Sequence, residues 1–410
     1  MNEYNSTRLG ILADDLSGAL DGGAALRRRG IRTFVGWSDD ALGALPDDAA
    51  FVWNTESRNL PIGEACQNVR FACKALRGHD FPLSYKKIDS TMRGHVGAET
   101  VTAMDVLDIR QAVVCPALPA QKRTVKNGAL LVDRKPLTES EFARDPLFPL
   151  TSAVVFELLR ESDLIRSAFM QDPAAIGSDS EQMLWSADAE SEADLEKIAQ
   201  FCLGTGRLPV GSAGLLAHLA KDRVPSAKLP EMRPGNGRIA LISASPSLRS
   251  QAQIRAAQDR AALIRADLTK LFDETKKEAE IGRLCKDARN ALASGDVLVD
   301  LTGPDKAHIA ASDPEKVKAQ SNAILAAVKA LSPVLCASST LILFGGDTTR
   351  AALKGLHCTL LEIEKEVQPQ IPVSRLVGGD ADGLRVITKA GGFGTEQLLC
   401  GLLCDESLRR

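Results

Sequence analysis

The sequence predicts an α/β protein made of two domains. Short apolar runs typical of buried strands alternate with segments in which apolar residues recur at helical spacing, as in sheets covered by helices. The chain has 410 residues, which is more than one ordinary hydrophobic core accommodates. Between Lys221 and Gly237 the pattern gives way to prolines, glycines and charged residues, as expected of a linker. We therefore expect one domain over residues 1–228 and a second over residues 236–410.

The composition is that of a soluble globular protein. Apolar residues make up 44% of the chain and charged residues 25%, and the net charge of -3 gives no general attraction to nucleic acid or membranes. No apolar run is long enough to span a membrane, and the polar N-terminus is unlike a secretion signal. The nine cysteines include no C-x-x-C pair, and Cys115 and Cys202 lie in apolar contexts typical of core residues. We expect a cytoplasmic protein that binds neither nucleic acid nor membrane.

Polar and charged side chains collect where three predicted strands of the first half end. Asp14 and Asp15 follow the first apolar run, and Arg58 closes a polar segment that follows the next one. The third strand begins at Ser84 and passes into a turn rich in charged and hydroxyl side chains. Open α/β sheets bind ligands at the carboxyl ends of their strands, so these side chains are expected to line one site.

The third segment places Lys87, Asp89, Ser90 and Arg93 within seven residues of each other. Successive side chains of a strand alternate, so Lys87 and Asp89 are expected on the same side as Tyr85. The positively charged side chains of this segment, Lys87 and Arg93, suit an anionic ligand. The alternative interpretation is a surface ion pair followed by a helix cap.

Three aspartates are candidates for accepting a proton from a substrate hydroxyl. Asp14 is preferred because it follows its strand directly, whereas Asp15 is the better helix cap and Asp89 is placed to orient a neighbouring cation. The guanidinium of Arg58 offers a planar fork for a substrate carboxylate or phosphate.

Local signals define further elements. The pair Asn127-Gly128 between strand-forming runs predicts a type I′ hairpin over residues 124–132, of the kind that forms a wall or lid. Residues 191–201 have the pattern of a capped helix, and the spacing of apolar residues over 254–264 also predicts a helix. Weaker strand patterns occupy residues 154–156, 173–176 and 182–185.

In the second half, three predicted strands run into turns rich in serine or glycine. Such turns present backbone donors and hydroxyl groups to phosphate, and paired glycines let the backbone approach a ligand closely. Neither the P-loop pattern nor the dinucleotide fingerprint G-x-G-x-x-G is present. The turns are Ser243–Ser247, Gly345–Arg350 and Gly391–Gly394.

Seven motifs in the same order resemble those of the four-carbon acid sugar kinases, a family once classed as a domain of unknown function. The resemblance covers nearly the whole chain. The motifs are LADDLSGA at 12–19, NTESR at 54–58, KIDSTMRG at 87–94, LLVD at 130–133, VGSAG at 210–214, FGGDT at 344–348 and KAGGFG at 389–394.

The resemblance implies an N-terminal sugar-acid-binding domain and a C-terminal nucleotide-binding domain with a cleft between them. The implied reaction moves the γ-phosphoryl group of ATP, with Mg²⁺, to the terminal hydroxyl of threonate, erythronate, 3-oxo-tetronate or a related acid. The catalytic candidates are Asp14, Asp89 and Lys87. The acid is implied to contact Asp14, Asp15, Arg58, Lys87, Ile88, Asp89, Ser90 and Arg93. The nucleotide is implied to contact Ser243, Ser245, Gly345, Gly346, Asp347, Thr348, Lys389, Gly391 and Gly392.

Two positions depart from the family pattern, because Ala244 replaces a glycine between the serines and Ser17 replaces a threonine. Two other functions stay open. A NAD-dependent sugar-acid dehydrogenase would use the same architecture, although the fingerprint is missing, and a non-catalytic sugar-acid sensor would bind the acid without turning over ATP. The sequence leaves open the acid, its stereochemistry, the metal ligands and the oligomeric state, for which a homodimer is one candidate.

Overall fold

The structure is a computed structural model that describes residues 8–144, 148–161, 165–171, 176, 181–220, 235–302 and 314–410. The chain divides into two compact units, Met1–Lys228 and Leu229–Arg410. Most of the predicted linker, and most of the weak strand pattern at 173–176, lie outside the described residues. No helix of the described ranges is long and apolar enough to cross a membrane.

The first unit contains a parallel sheet whose strands run in the order β2-β3-β1-β4-β11-β5-β10-β9. A small antiparallel sheet, β6-β7-β8, accompanies it. The strands are β1 (Leu9–Ala13), β2 (Thr33–Gly36), β3 (Ala50–Asn54), β4 (Leu83–Lys87), β5 (Gln111–Cys115), β6 (Arg123–Lys126), β7 (Ala129–Val132), β8 (Lys135–Pro136), β9 (Ser167–Phe169), β10 (Met183–Ser186) and β11 (Leu208–Gly211). The helices are α1 (Leu16–Arg28), α2 (Ile62–Gly78), α3 (Val96–Leu107), α4 (Val155–Leu158), α5 (Glu192–Thr205) and α6 (Ala213–Leu219).

Local chemistry explains several of these boundaries. Asn127 and Gly128 both have positive φ, of 50° and 77°, and form the predicted turn between β6 and β7. The carboxylate of Asp188 holds this turn, because it accepts hydrogen bonds from both turn amides at 2.6 and 2.8 Å. Ser191 and Asp194 form a reciprocal capping box at the start of α5, where the sequence predicts the first turn of a helix.

The second unit contains a mixed sheet with the strand order β13-β14-β12-β15-β18-β17-β16. Strands β13, β14, β12, β15 and β18 are parallel, and β17 is antiparallel to both of its neighbours. The strands are β12 (Ile239–Ser243), β13 (Ala262–Arg265), β14 (Val297–Asp300), β15 (Thr340–Phe344), β16 (Leu360–Gln368), β17 (Ile371–Val377) and β18 (Arg385–Lys389). The helices are α7 (Leu248–Ala257), α8 (Leu268–Leu271), α9 (Lys277–Ser294), α10 (Pro314–Leu335), α11 (Gly346–Gly355) and α12 (Leu398–Cys404).

Two predicted elements are wrong. Val154–Phe156 is predicted as a strand, but the chain turns into the short helix α4 at Val155. The helix predicted over 254–264 ends at Ala257, and Ile264 lies in β13. Apolar runs this short fit either periodicity, so pairing with β14 decides the second case.

Candidate active site

The strand order places the carboxyl ends of β1, β3 and β4 side by side in the first unit. Ala13, the last residue of β1, pairs with Asn54 on one side and with Lys87 on the other. After β1 the chain forms β2 and β3 on one side of that strand, and it then forms β4 on the other side of β1. Such a reversal of strand order opens a crevice at the carboxyl ends, which is where α/β sheets bind ligands.

Arg58 bridges the two adjacent aspartates that follow β1. Its Nε and Nη2 donate to Oδ2 and Oδ1 of Asp14 at 2.8 and 2.9 Å, and Nη2 also donates to Oδ1 of Asp15 at 2.6 Å. The same Oδ1 of Asp15 accepts a hydrogen bond from the amide of Gly18 at 2.8 Å, so Asp15 caps α1 as predicted. One guanidinium thus offsets the repulsion between the two carboxylates.

The two aspartates differ in proton affinity. Burial alone would raise the pKa of Asp14, but the charge and hydrogen bonds of Arg58, with Lys86 and Lys87, outweigh burial and hold that pKa below its usual value. The pKa of Asp15 is raised, because burial and the charge of Asp14 together exceed the attraction of Arg58 and Lys87. The Asp15 side chain is 26% exposed, and its Oδ2 accepts no hydrogen bond from the described residues.

Gly94 closes one side of this cluster. It has a φ of 92°, and a Cβ at this position would lie 3.2 Å from Oδ2 of Asp14 and 3.3 Å from Cγ of Arg58. A side chain here would be strained and would press on the ion pair. The glycine therefore lets the turn after β4 pack directly against the Asp14–Arg58 pair.

Asp89 is held by its own turn. Its Oδ2 accepts hydrogen bonds from Thr91 Oγ1 at 2.5 Å and from Arg93 Nε at 2.6 Å. Burial would raise the pKa of Asp89, but Arg58 and Arg93 outweigh it and hold that pKa far below its usual range. The interpretation of Asp89 as a residue that orients a neighbouring cation is thus consistent with its contacts to Arg93.

Lys87 lies at the same end of β4 and is buried against α1. Its Nζ donates to the carbonyl of Ile88 at 3.1 Å and lies 3.9 Å from Oδ2 of Asp21. A Cβ on Gly18 would lie 3.4 Å from this Nζ, so the small residues of α1 make room for the lysine.

Two contacts near these residues were missed by the sequence reasoning. On the opposite face of β4, Lys86 Nζ donates to Oε2 of Glu99 at 2.6 Å, and both side chains are 1% exposed. Arg123 of β6 bonds the hydroxyl of Ser90 and lies over the ring of Phe142, 5.1 Å from its centroid. Glu99 lies within the apolar face of α3, and this position in the sequence indicates a buried cation as its partner. No local pattern in the sequence connects Arg123 with Ser90.

In the second unit, β12 and β15 end side by side, with Ser243 paired to Phe344. Helix α11 starts directly after β15, and Gly345 at its N-cap has a φ of 112°. A Cβ on Gly345 would lie 2.9 Å from Oγ1 of Thr348, so only glycine suits this position. Asp347 points away from the protein, with a side chain that is 73% exposed and 3.2 Å from Arg350.

The serine turn and the glycine turn approach each other closely. A Cβ on Gly391 would lie 2.6 Å from Oγ of Ser245 and 3.0 Å from Cβ of Ser247. The hydroxyl of Ser243 is buried and has no hydrogen-bond partner among the described residues. Ala244 is half-buried between these serines.

Helix α7 holds the glycine turn in place. Ser250 Oγ lies 3.1 Å from the carbonyl of Gly391, and Gln253 Nε2 donates to the carbonyls of Phe393 and Thr395 at 3.1 and 2.8 Å. The sequence analysis predicts neither Ser250 nor Gln253 as part of the site, because a serine or a glutamine in a helix gives no sequence signal for a contact with a distant turn.

Metal ligands are not evident from the side chains alone. Within the described ranges, no three histidine, cysteine or carboxylate groups lie close enough together to hold a metal ion. Asp300, 5% exposed at the end of β14, is paired in register with Ser243 and accepts hydrogen bonds from Thr302. Carboxylate and hydroxyl oxygens are the donors that Mg²⁺ prefers, and a metal carried by nucleotide phosphates needs only one or two of them.

Comparisons with known proteins identify the family. Residues 9–219 match a sugar-binding N-terminal domain, and residues 240–399 match a nucleotide-binding C-terminal domain. A D-threonate kinase from Salmonella typhimurium is 30% identical, over 96% of this chain and 97% of the relative. The chain belongs to the four-carbon acid sugar kinase family. Another such kinase, the 3-oxo-tetronate kinase from Methylobacterium radiotolerans, is also 30% identical, over 95% of this chain and 97% of its own.

The fold is also that of a solved structure. A crystal structure of a Salmonella typhimurium LT2 protein is similar with a TM-score of 0.80 and 23% identity, covering 96% of this chain and 98% of the other. The match supports the two-domain α/β architecture predicted for this member of the four-carbon acid sugar kinase family.

Proposed function

We propose that the protein transfers the γ-phosphoryl group of ATP to the terminal hydroxyl of a four-carbon sugar acid such as threonate, erythronate or 3-oxo-tetronate. The observation that carries this proposal is the match of both units to the sugar-binding and nucleotide-binding domains of one kinase family over nearly the whole chain. Phosphoryl transfer asks a protein mainly for positioning and charge neutralisation, and both units offer these at the carboxyl ends of their strands.

The acid is proposed to bind the first unit. Lys87 and Arg93 bring positive charge to the end of β4, and Ser90 adds a hydroxyl group. Arg58 contributes chiefly by fixing Asp14 and Asp15, since its Nε and Nη2 are already used by these carboxylates. Its Nη1 makes no hydrogen bond to the described residues and is the atom left for a substrate carboxylate.

Asp15 is the favoured acceptor for the hydroxyl proton. A base works best when its pKa lies near the operating pH, and the pKa of Asp15 is raised while those of Asp14 and Asp89 are lowered. Oδ2 of Asp15 accepts no hydrogen bond from the part of the chain that the structure describes, whereas both oxygens of Asp14 bind Arg58. These contacts support Asp15 as the base, in place of Asp14, which the sequence favours.

The nucleotide is proposed to bind the second unit. The first-turn amides of α11, which follow Gly345, point out of the helix and suit phosphate oxygens. The serine and glycine turns add hydroxyl and backbone donors beside them, and the Ser243 hydroxyl has no hydrogen-bond partner within the described ranges. Mg²⁺ bound to the phosphates would neutralise their charge, with oxygen donors such as Asp300 as candidate ligands.

The proposal is tested by coupled ADP release over a panel of four-carbon and branched sugar acids, with ATP and Mg²⁺. We expect at least one acid to stimulate ADP release, and phosphorus NMR of the product to show a phosphate ester. The Asp15→Asn variant is the matched control. Asparagine also caps helices, so this variant should fold normally but release ADP more slowly than the wild type. A folded protein that releases no ADP with any acid, or that instead reduces a nicotinamide cofactor, would refute the kinase assignment.

A further inference from the structure

Lys389 is a buried lysine without a carboxylate partner in the described part of the second unit. It closes β18, its residue is 2% exposed, and its Nζ lies 4.3 Å from the centroid of the Phe344 ring. Burying an ammonium group is costly unless hydrogen bonds compensate. Burial, and less so the charge of Arg249, lower the pKa of this lysine to about 7. A side chain held at such a cost calls for a functional explanation.

The protonated form of the Lys389 side chain has three hydrogen-bond donors, and each has an acceptor inside the unit. Nζ donates to Oγ of Ser250 at 3.0 Å, to the carbonyl of Ala390 at 3.1 Å and to the carbonyl of Gly391 at 2.9 Å. An ammonium group has three donors and no acceptor, so a direct bond to phosphate would require one of these contacts to break.

These contacts join the three turns at the carboxyl ends of β12, β15 and β18. The main-chain carbonyl of Lys389 accepts a hydrogen bond from the amide of Gly345 at 2.8 Å, at the start of α11. Ser250 lies 3.2 Å from Oγ of Ser245 and 3.1 Å from the carbonyl of Gly391. One residue therefore contacts the glycine turn, the helix that follows the serine turn, and the N-cap of α11.

We propose that Lys389, together with Ser250, is a positioning residue that sets the serine and glycine turns in their nucleotide-binding arrangement, and that it acts through these turns without contacting phosphate. The inference rests on the proposed function, because it concerns how the same nucleotide site is built. It revises the direct nucleotide contact that the family resemblance implies for Lys389.

The test compares Lys389→Met, Ser250→Ala and the double variant, with a matched control, Lys354→Met, at an exposed position in the last turn of α11. Each single change should raise KM for ATP by about tenfold to a hundredfold, the factor expected when hydrogen bonds to a charged group are lost. KM for the acid should stay unchanged. Because the two residues act together, the double variant should lose less than the product of the two single losses.

A second measurement needs no activity. Amide hydrogen exchange in the nucleotide-free protein should become faster at residues 390–395 and 244–250 in both single variants, and stay normal in Lys354→Met. If Lys389 instead binds phosphate, exchange in the free protein will not change and Ser250→Ala will keep its ATP affinity. That result would overturn the inference. If no acid supports turnover, the proposed function fails, while the exchange experiment still tests the positioning role.

Discussion

Replacing Asp14 and Asp15 by asparagine, one at a time, tests which of the two is the base, a role for which the sequence favours Asp14 and the contacts favour Asp15. Asp14 accepts two hydrogen bonds from Arg58 in a buried site, whereas Asp15 accepts one and is 26% exposed. In Asp14→Asn the side-chain amide would direct N–H groups at the guanidinium. In Asp15→Asn the remaining oxygen still accepts the hydrogen bond from Gly18.

The magnitudes follow from these contacts. Breaking a buried ion pair costs about 3–5 kcal/mol when the partner is left alone, and Arg58 keeps Asp15, so Asp14→Asn should cost about 2–4 kcal/mol of unfolding free energy. Asp15→Asn should cost less than about 1 kcal/mol, because it keeps the cap and loses only a partly exposed charge. The effects on kcat should have the opposite order, with the larger loss in Asp15→Asn. This variant should lose about 10²-fold in kcat, at the lower end of the range for loss of a general base, because loose phosphoryl-transfer transition states need little help from a base.

The assay measures denaturant unfolding, kcat and the pH dependence of kcat for both variants. In the wild type kcat should fall as pH drops through the raised pKa of Asp15, because the base must be deprotonated, and Asp15→Asn should lack this acid limb. An Asp15→Asn enzyme with near-normal kcat, together with a large kcat loss in Asp14→Asn, would refute the assignment and restore Asp14 as the base.

Three further outcomes are expected. Gly345→Ala should weaken nucleotide affinity by calorimetry by about tenfold or more, because φ is 112° and the new Cβ would lie 2.9 Å from Thr348; unchanged affinity would remove this turn from the site. Lys86→Met should cost about 3–5 kcal/mol in denaturant unfolding, since it leaves a buried carboxylate, and adding Glu99→Leu should recover part of the loss; a double variant less stable than the single one would contradict this. The stability of the wild type relative to Lys389→Met should rise between pH 7 and about 10, because in this window the unfolded state keeps the lysine proton while the folded state, with a pKa of about 7, loses it. If the difference in melting temperature between the two proteins does not change with pH, the lowered pKa of Lys389 is contradicted.

The sequence predicts elements whose chemistry is local. The Asn127-Gly128 turn and the Ser191–Asp194 capping box follow from what these side chains do to their own backbone. The hairpin of β16 and β17 was not predicted, although Gln370 at its turn has a φ of 65°. Lys365 interrupts the alternation of apolar and acidic residues in β16, and the pairing with β17 contains register shifts, so pairing within the sheet decides the structure.

In the candidate site, the sequence names residues that the structure brings together, but it does not show which of them contact each other. The motifs name Asp14, Asp15 and Arg58, yet only the geometry shows that one guanidinium binds both carboxylates. Likewise the contacts of Arg123 and Ser250 join segments 33 and 141 residues apart in the chain. Such contacts arise from the order of the strands, which no short motif encodes.

The two lysines at the end of β4 have a consequence for folding fidelity. All five residues of this strand are buried, so apolar alternation cannot specify which side chain faces which helix. A slip by one residue in one direction would put Tyr85 opposite Glu99 and leave that carboxylate without a cation, and a slip in the other would bury Asp89 at the fully enclosed position of Ile88. Either error leaves an unpaired charge in the interior, which costs far more free energy than misplacing an apolar group. The Lys86–Glu99 ion pair opposes the first slip and Asp89 opposes the second, so that strand alignment and the placement of the turn after β4 are specified together.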